Sequence, residues 1–195
     1  MKSIPKARRD ALTDGIFAFA MTLLVIDIRV PLDTAYRSDA ELLGALAGLG
    51  PELLAYLISF FVLALFWRGL AAQESEADPG SAHILAWLVY LLAMTFIPFS
   101  TSLVGAHETL APAVWIYAAN MMGGALASFA MMLTWPGEAR LHKHAAIRLS
   151  LLMVSVVASV GVSLVHPPSA MWPYLINIAG PAVVTWGERR KPRVR

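Results

Sequence analysis

Six long apolar stretches constrain this chain more than any single residue does. They run roughly over 10–30, 51–72, 82–104, 109–135, 146–165 and 170–186. A helix needs about 20 mostly apolar residues to cross a bilayer, and each stretch is near that length. Turn signals separate several of them, among them Asp78-Pro79-Gly80, Pro136-Gly137 and Pro167-Pro168. Composition agrees: 58% of the 195 residues are hydrophobic and 14% charged, with mean hydropathy +0.64, where an ordinary soluble domain carries about 25% charged residues. The sequence therefore predicts an all-α polytopic membrane protein, a single six-helix domain over 1–195, with no room for a large soluble domain. The chain has no cysteine, which excludes disulfides, thiolate metal sites and cysteine nucleophiles.

Charge placement orients the helices. Six spans put both termini on one side, and that side then holds all but two of the 15 Lys and Arg residues. The two on the other side are Arg29 and Arg37. Basic residues favour the cytoplasm, so both termini are expected there. The same distribution accounts for a pI near 9.1 without nucleic-acid binding. The first stretch opens like a secretory signal, yet Asp14 near its front and the lack of a small-residue cleavage site argue for retention. In the loop over 29–50, the segment from Asp39 to Leu49 is expected to form a short interfacial helix.

The first apolar stretch begins with paired bases, Arg8 and Arg9, and carries an acid, Asp14, before running apolar to Asp27, Arg29 and Pro31. An ionised side chain inside a spanning segment is costly and marks a functional hypothesis. The pattern Arg8-x-x-x-Leu12-Thr13-Asp14-x-x-Phe17, followed by the apolar run from Ala18 to Ile28, resembles the signature helix of the transmembrane-protein-175 family. That family comprises endosomal and lysosomal potassium channels and their bacterial relatives. Its usual form reads Arg-x-x-x-Phe-Ser-Asp-x-x-Phe, so Leu12 and Thr13 are conservative departures. Trp67, Trp87 and the run Phe96-Ile97-Pro98-Phe99-Ser100-Thr101 extend the resemblance over about the first half of the chain. The signature occurs once, as in bacterial members, which assemble as homotetramers. The resemblance implies a multi-pass protein of the plasma membrane (the bacterial inner membrane) that conducts potassium ions passively, as a leak-type channel, with no cofactor and no enzymatic activity.

Phe19, Leu23 and Ile26 share one stripe of the first helix, spaced i, i+4, i+7, and Thr22 lies on the same face. An apolar stripe on a membrane helix ordinarily means packing or lipid contact. The family resemblance implies instead that this helix lines a pore, with Phe19, Leu23 and Ile26 as stacked constrictions. Hydrophobic rings of this kind close a pore by dewetting. Thr22 supplies a ring of hydroxyls beside them and is the candidate for selectivity. Phe19 departs from the aliphatic residue usual at its position.

The resemblance implies that the signature residues Arg8, Thr13, Asp14 and Phe17, with Trp67, belong to a network with second- and third-helix residues behind the pore helix. Arg8 and Asp14 are six residues apart, so they point about 240° apart on a straight helix and do not pair. Relatives place two histidines after the tryptophan, as Trp-x-x-His-His; this chain has Trp67-Arg68-Gly69-Leu70-Ala71. Arg68 is therefore the expected partner of Asp14, with His83 the weaker alternative. A simpler role for Asp14 is a carboxylate near a helix N-terminus, favoured by the macrodipole.

The second half reads as scaffold. Ala119, Gly123 and Ala127 form a small-residue face, as do Ser155, Ser159 and Ser163. Asn120 needs an interhelical partner, and Pro98 is expected to kink or end its helix. His142 and His144, without nearby acids or cysteines, make a poor metal site. Nucleophile-elbow, zinc-protease, phosphate-loop and carbonyl-filter motifs are all missing from the sequence. Two other readings remain: a proton or cation transporter relaying through Asp14 and Asp27, and a non-conducting membrane scaffold.

Overall fold

The structure, a computed structural model, describes residues 4–31, 35–71, 80–134 and 142–177. Among the described residues, six α-helices follow one another: α1 Lys6–Leu23, α2 Asp39–Gly48, α3 Gly50–Ala71, α4 Ser81–Ala106, α5 Ala111–Leu133 and α6 His142–Ser163. Two 3-10 turns follow, Pro167–Ser169 and Trp172–Tyr174. Four segments, Gly50–Leu70, Ser81–Ala106, Ala111–Leu133 and Ala145–Ser163, have the length and hydropathy of a membrane span. The chain is a helical membrane protein.

The first and last expected spans differ from expectation. α1 starts earlier than position 10 and ends at Leu23 instead of near position 30. Its front turns carry Lys6, Arg8, Arg9, Asp10 and Asp14, and it is not among the four span-like segments. Residues 24–27 continue as turns, so Ile26 and Asp27 lie beyond the helix. Val25, Ile26 and Ile28 are β-branched and Asp27 competes for backbone bonds, which weakens helix continuation. The described part of the stretch over 170–186 opens as the Trp172–Tyr174 turn, with Pro173 at its start, and becomes helical only at 175–177. The rest of that stretch lies outside the described residues, as do Arg140 and the basic tail.

α4 is the central helix, packed against α1, α3 and α5, while α6 covers α5 and holds the 3-10 turns. Tyr90, Met94 and Ile97 of α4 meet Ile58, Val62 and Leu63 of α3 and Val114, Tyr117 and Met121 of α5 in one core. Gly124 sets how closely α5 approaches: a Cβ there would sit 2.8 Å from Met94 Cε and 3.4 Å from Phe66 Cζ. The small-residue face of α5 is thus shifted from the expected one. Ala127 is buried, but Ala119 is exposed and a Cβ on Gly123 would meet open space. On α6 the three serines are buried as expected; Ser163 accepts from Trp115 Nε1 at 3.1 Å and Ser155 accepts from Asn177 Nδ2 at 2.8 Å.

Pro98 does not end α4, which continues to Ala106. Proline removes one ladder hydrogen bond and its ring crowds the preceding turn. Asn120 of α5 supports that turn. The orientation satisfying both ends of its amide puts its nitrogen 3.1 Å from Ala93 O and its oxygen 3.2 Å from both Ile97 N and Ser100 Oγ. Ala93 O and Ile97 N are acceptor and donor of one i, i−4 rung, so the amide bridges the ladder beside the proline. A second link crosses three helices: Thr101 donates to Ser59 at 2.8 Å, and Ser59 meets the Tyr117 hydroxyl at 3.0 Å.

The short helix expected from Asp39 to Leu49 is α2. Ser38 caps it by accepting from Glu41 N at 3.2 Å, while Glu41 Oε2 accepts from Arg37 N at 2.8 Å. This is close to a capping box.

Candidate functional site

α1 has two unlike faces. Arg9, Thr13, Phe17, Ala20 and, just past the helix end, Leu24 are buried, at spacings of four, four, three and four. They form the stripe that packs on α3 and α4. Phe17 is 1% exposed, with its ring centroid 6.0 Å from that of Tyr90, which in turn lies 5.9 Å from Phe66.

Two tryptophans fix the polar end of this stripe. Thr13 Oγ1 donates to Arg9 O at 2.9 Å, which leaves its lone pairs to accept from Trp87 Nε1 of α4 at 3.1 Å. Asp14 Oδ1 accepts from Trp67 Nε1 of α3 at 2.8 Å. Thr13, Asp14, Phe17 and Trp67 are therefore brought together. An indole N–H is a donor with no acceptor role, so each tryptophan selects an oxygen on α1.

Two expectations are corrected here. Arg68 was the expected donor to Asp14; the donor is its neighbour Trp67, and Arg68 is exposed. Successive helical residues point about 100° apart, so one aimed at α1 leaves the next aimed away. Arg8, expected in the network, is exposed, while the adjacent Arg9 is 9% exposed and donates from Nη1 to Ile4 O at 3.3 Å. Extending the Thr13–Phe17 stripe back by one turn would have found Arg9 in the sequence. His83 is buried at the start of α4, with Nδ1 3.2 Å from Thr134 Oγ1 at the end of α5. A cavity of about 230 Å³ opens at this end of the bundle, lined by residues including Arg9, Thr13, Asp14, Trp67, His83 and Trp87.

The other face of α1 carries the expected pore stripe. Phe19 is 66% exposed and Ile26 51% exposed; Thr22 is exposed and Leu23 half-buried. Thr22 Oγ1 donates to Phe19 O at 2.8 Å. Leu12, Gly15, Ile16, Phe19 and Leu23 line a shallow apolar groove of about 330 Å³ against Thr95 of α4. Among the described residues, no three His, Asp or Glu side chains converge as a metal site would require.

A family model described as endosomal/lysosomal potassium channel TMEM175 matches residues 8–98. A protein named a potassium channel from Chamaesiphon minutus is 32% identical over 140 residues, which cover 71% of this chain and 65% of that protein. A human protein named an endosomal/lysosomal proton channel is 38% identical over 69 residues, 33% of this chain and 14% of that one. The chain thus spans less than two thirds of the length of either curated relative. A crystal structure described as a lysosomal potassium-selective channel TMEM175 homolog from Chamaesiphon minutus shares the fold. Its TM-score is 0.57 at 24% identity, and the match covers 95% of this chain and 98% of that one.

Proposed function

The chain belongs to the TMEM175 family, and from that premise we propose that it is a potassium-permeable ion channel whose pore is lined by α1. One observation carries the reading. The signature residues Thr13, Asp14 and Phe17 hold one face of α1 against α3 and α4, and the opposite stripe of Phe19, Thr22 and Ile26 is left exposed. One such helix cannot enclose a path for ions. A homotetramer in the plasma membrane, with both termini cytoplasmic, would bring four copies of the stripe around an axis.

In that assembly Phe19, Leu23 and Ile26 form apolar rings that close the path by dewetting. Ile26 lies on a turn beyond the helix end, so its ring is the more adjustable. A cation passing apolar rings must shed water, and potassium sheds it more readily than sodium because its charge density is lower. The Thr22 hydroxyl spends its hydrogen on Phe19 O, which leaves oxygen lone pairs facing away from that bond. Four such oxygens would replace part of the lost hydration. No cofactor is needed for passive conduction. A relay through Asp14 and Asp27 has weaker support: twelve residues lie between them, Asp27 falls beyond the end of α1, and Thr22 is the one hydroxyl side chain in that interval.

Purified protein in liposomes with an outward potassium gradient tests the proposal. The expected result is potassium efflux that a proton ionophore accelerates, because charge must be compensated. Efflux indistinguishable from that of empty liposomes, in wild type and in Leu23→Asn alike, would overturn it.

A further inference from the structure

The cavity at the signature end holds two opposite charges that do not pair with each other. Arg9 is buried, and a guanidinium has five N–H donors; among the described residues its one hydrogen bond is the 3.3 Å contact to Ile4 O. Asp14 takes one bond, from Trp67 to Oδ1, which leaves Oδ2 without a protein donor among the described residues. Lys6 and Asp10 also line the cavity but neutralise each other at 2.9 Å. What remains is a dipolar wall, cation at Arg9 and anion at Asp14, with the indoles of Trp67 and Trp87 alongside. Asp14 is exposed, and no Arg9 nitrogen is among the buried polar atoms left without a partner, so both charges are open to the cavity and can bond a ligand there. The space, about 230 Å³, far exceeds what one water needs.

From these charges we propose that the cavity binds a small oxyanion–ammonium zwitterion, the phosphoethanolamine headgroup. The diester oxygens would take the fork of Arg9, which suits an oxyanion better than a point charge does. The ammonium would donate to Asp14 Oδ2 and lie against an indole face, where cation–π attraction adds to the hydrogen bond. A pure anion would satisfy Arg9 and be repelled by Asp14; a pure cation would do the reverse. The position supports a headgroup source: the cavity lies at the ends of span-like helices, next to tryptophans of the kind that mark membrane interfaces.

The test is thermal stability of the purified protein in detergent, with added short-chain phosphatidylethanolamine, short-chain phosphatidylglycerol, or soluble glycerophosphoethanolamine. Phosphatidylethanolamine is expected to bind at least tenfold more tightly than phosphatidylglycerol, and Arg9→Gln to remove that preference. Because loss of Arg9 also disturbs a buried position, Leu70→Trp provides a second variant that fills the cavity and keeps every charge; it should abolish the stabilisation. Stabilisation by the soluble headgroup as well assigns recognition to the zwitterion itself; stabilisation by the lipid alone assigns it to the headgroup held by its acyl chains. Equal binding of the two lipids, or a preference untouched by both variants, overturns the proposal. The readout does not involve ion flux, so it stands or falls apart from the channel reading.

Discussion

The two faces of α1 have similar apolar content and opposite fates. Thr13, Phe17 and Ala20 are buried against α3 and α4, while Phe19 is 66% exposed one position from Ala20. Hydrophobicity does not separate them, since phenylalanine sits on both. The difference is that the inner stripe has partners of matching shape and polarity within the subunit, two indole donors and the Tyr90–Phe66 ring cluster, whereas among the described residues the outer stripe meets only a shallow groove beside Thr95. One face therefore carries the stability of the subunit, and the other is free for a task that needs exposure.

Substitutions on each face should separate stability from conduction. The largest effect is expected at Phe17. Phe17→Ala leaves a cavity among Tyr90 and its neighbours and should cost about 3–5 kcal/mol in a detergent unfolding titration; a loss below about 1 kcal/mol would mean that this face does not anchor α1. Trp87→Phe keeps the ring but removes the donor to buried Thr13, and about 1–3 kcal/mol should be lost. Asp14→Asn weakens a charge-assisted bond at an exposed site, so about 1 kcal/mol is expected, with Arg68→Gln close to neutral because Trp67 is the donor. A larger loss for Arg68→Gln than for Asp14→Asn would reverse the assignment. On the outer face, exposed Ile26→Asn should leave the unfolding free energy within about 0.5 kcal/mol of wild type, half-buried Leu23→Asn should cost somewhat more, and both should raise potassium flux by wetting the constriction. Smallest of all is Thr22→Val, which should leave stability unchanged and alter only the potassium-to-sodium permeability ratio under bi-ionic conditions. A wild-type ratio and current in that variant would confine Thr22 to its bond with Phe19 O.

Much of the signature end was legible in the sequence because its elements are local. Thr13, Asp14 and Phe17 lie within two turns of helix, and a helical period puts Thr13 and Phe17 on one face without further information. The burial of Ser155, Ser159 and Ser163 on α6 follows from the same period. Partners across helices were less legible. Trp67 and Arg68 are adjacent, and which of them reaches Asp14 depends on the rotation of α3 about its axis, set by how Val62, Leu63 and Phe66 pack. The same ambiguity hid Gly124 behind Gly123 and Arg9 behind Arg8.

The sequence by itself determined the class. Long apolar stretches must form helices in a bilayer, because every backbone N–H and C=O must be bonded within its own segment. It also determined that Thr13 and Phe17 share one face of α1 and that a short helix follows Ser38, since helical period and capping chemistry act over a few residues. Only the tertiary structure decided that α1 stops at Leu23, that Asn120 supports the α4 turn at Pro98, and that Arg9 and Asp14 face one cavity without pairing. Those outcomes depend on axial rotations and approach distances of neighbouring helices. These are fixed by side-chain volumes summed over several elements, and no short window of sequence contains them.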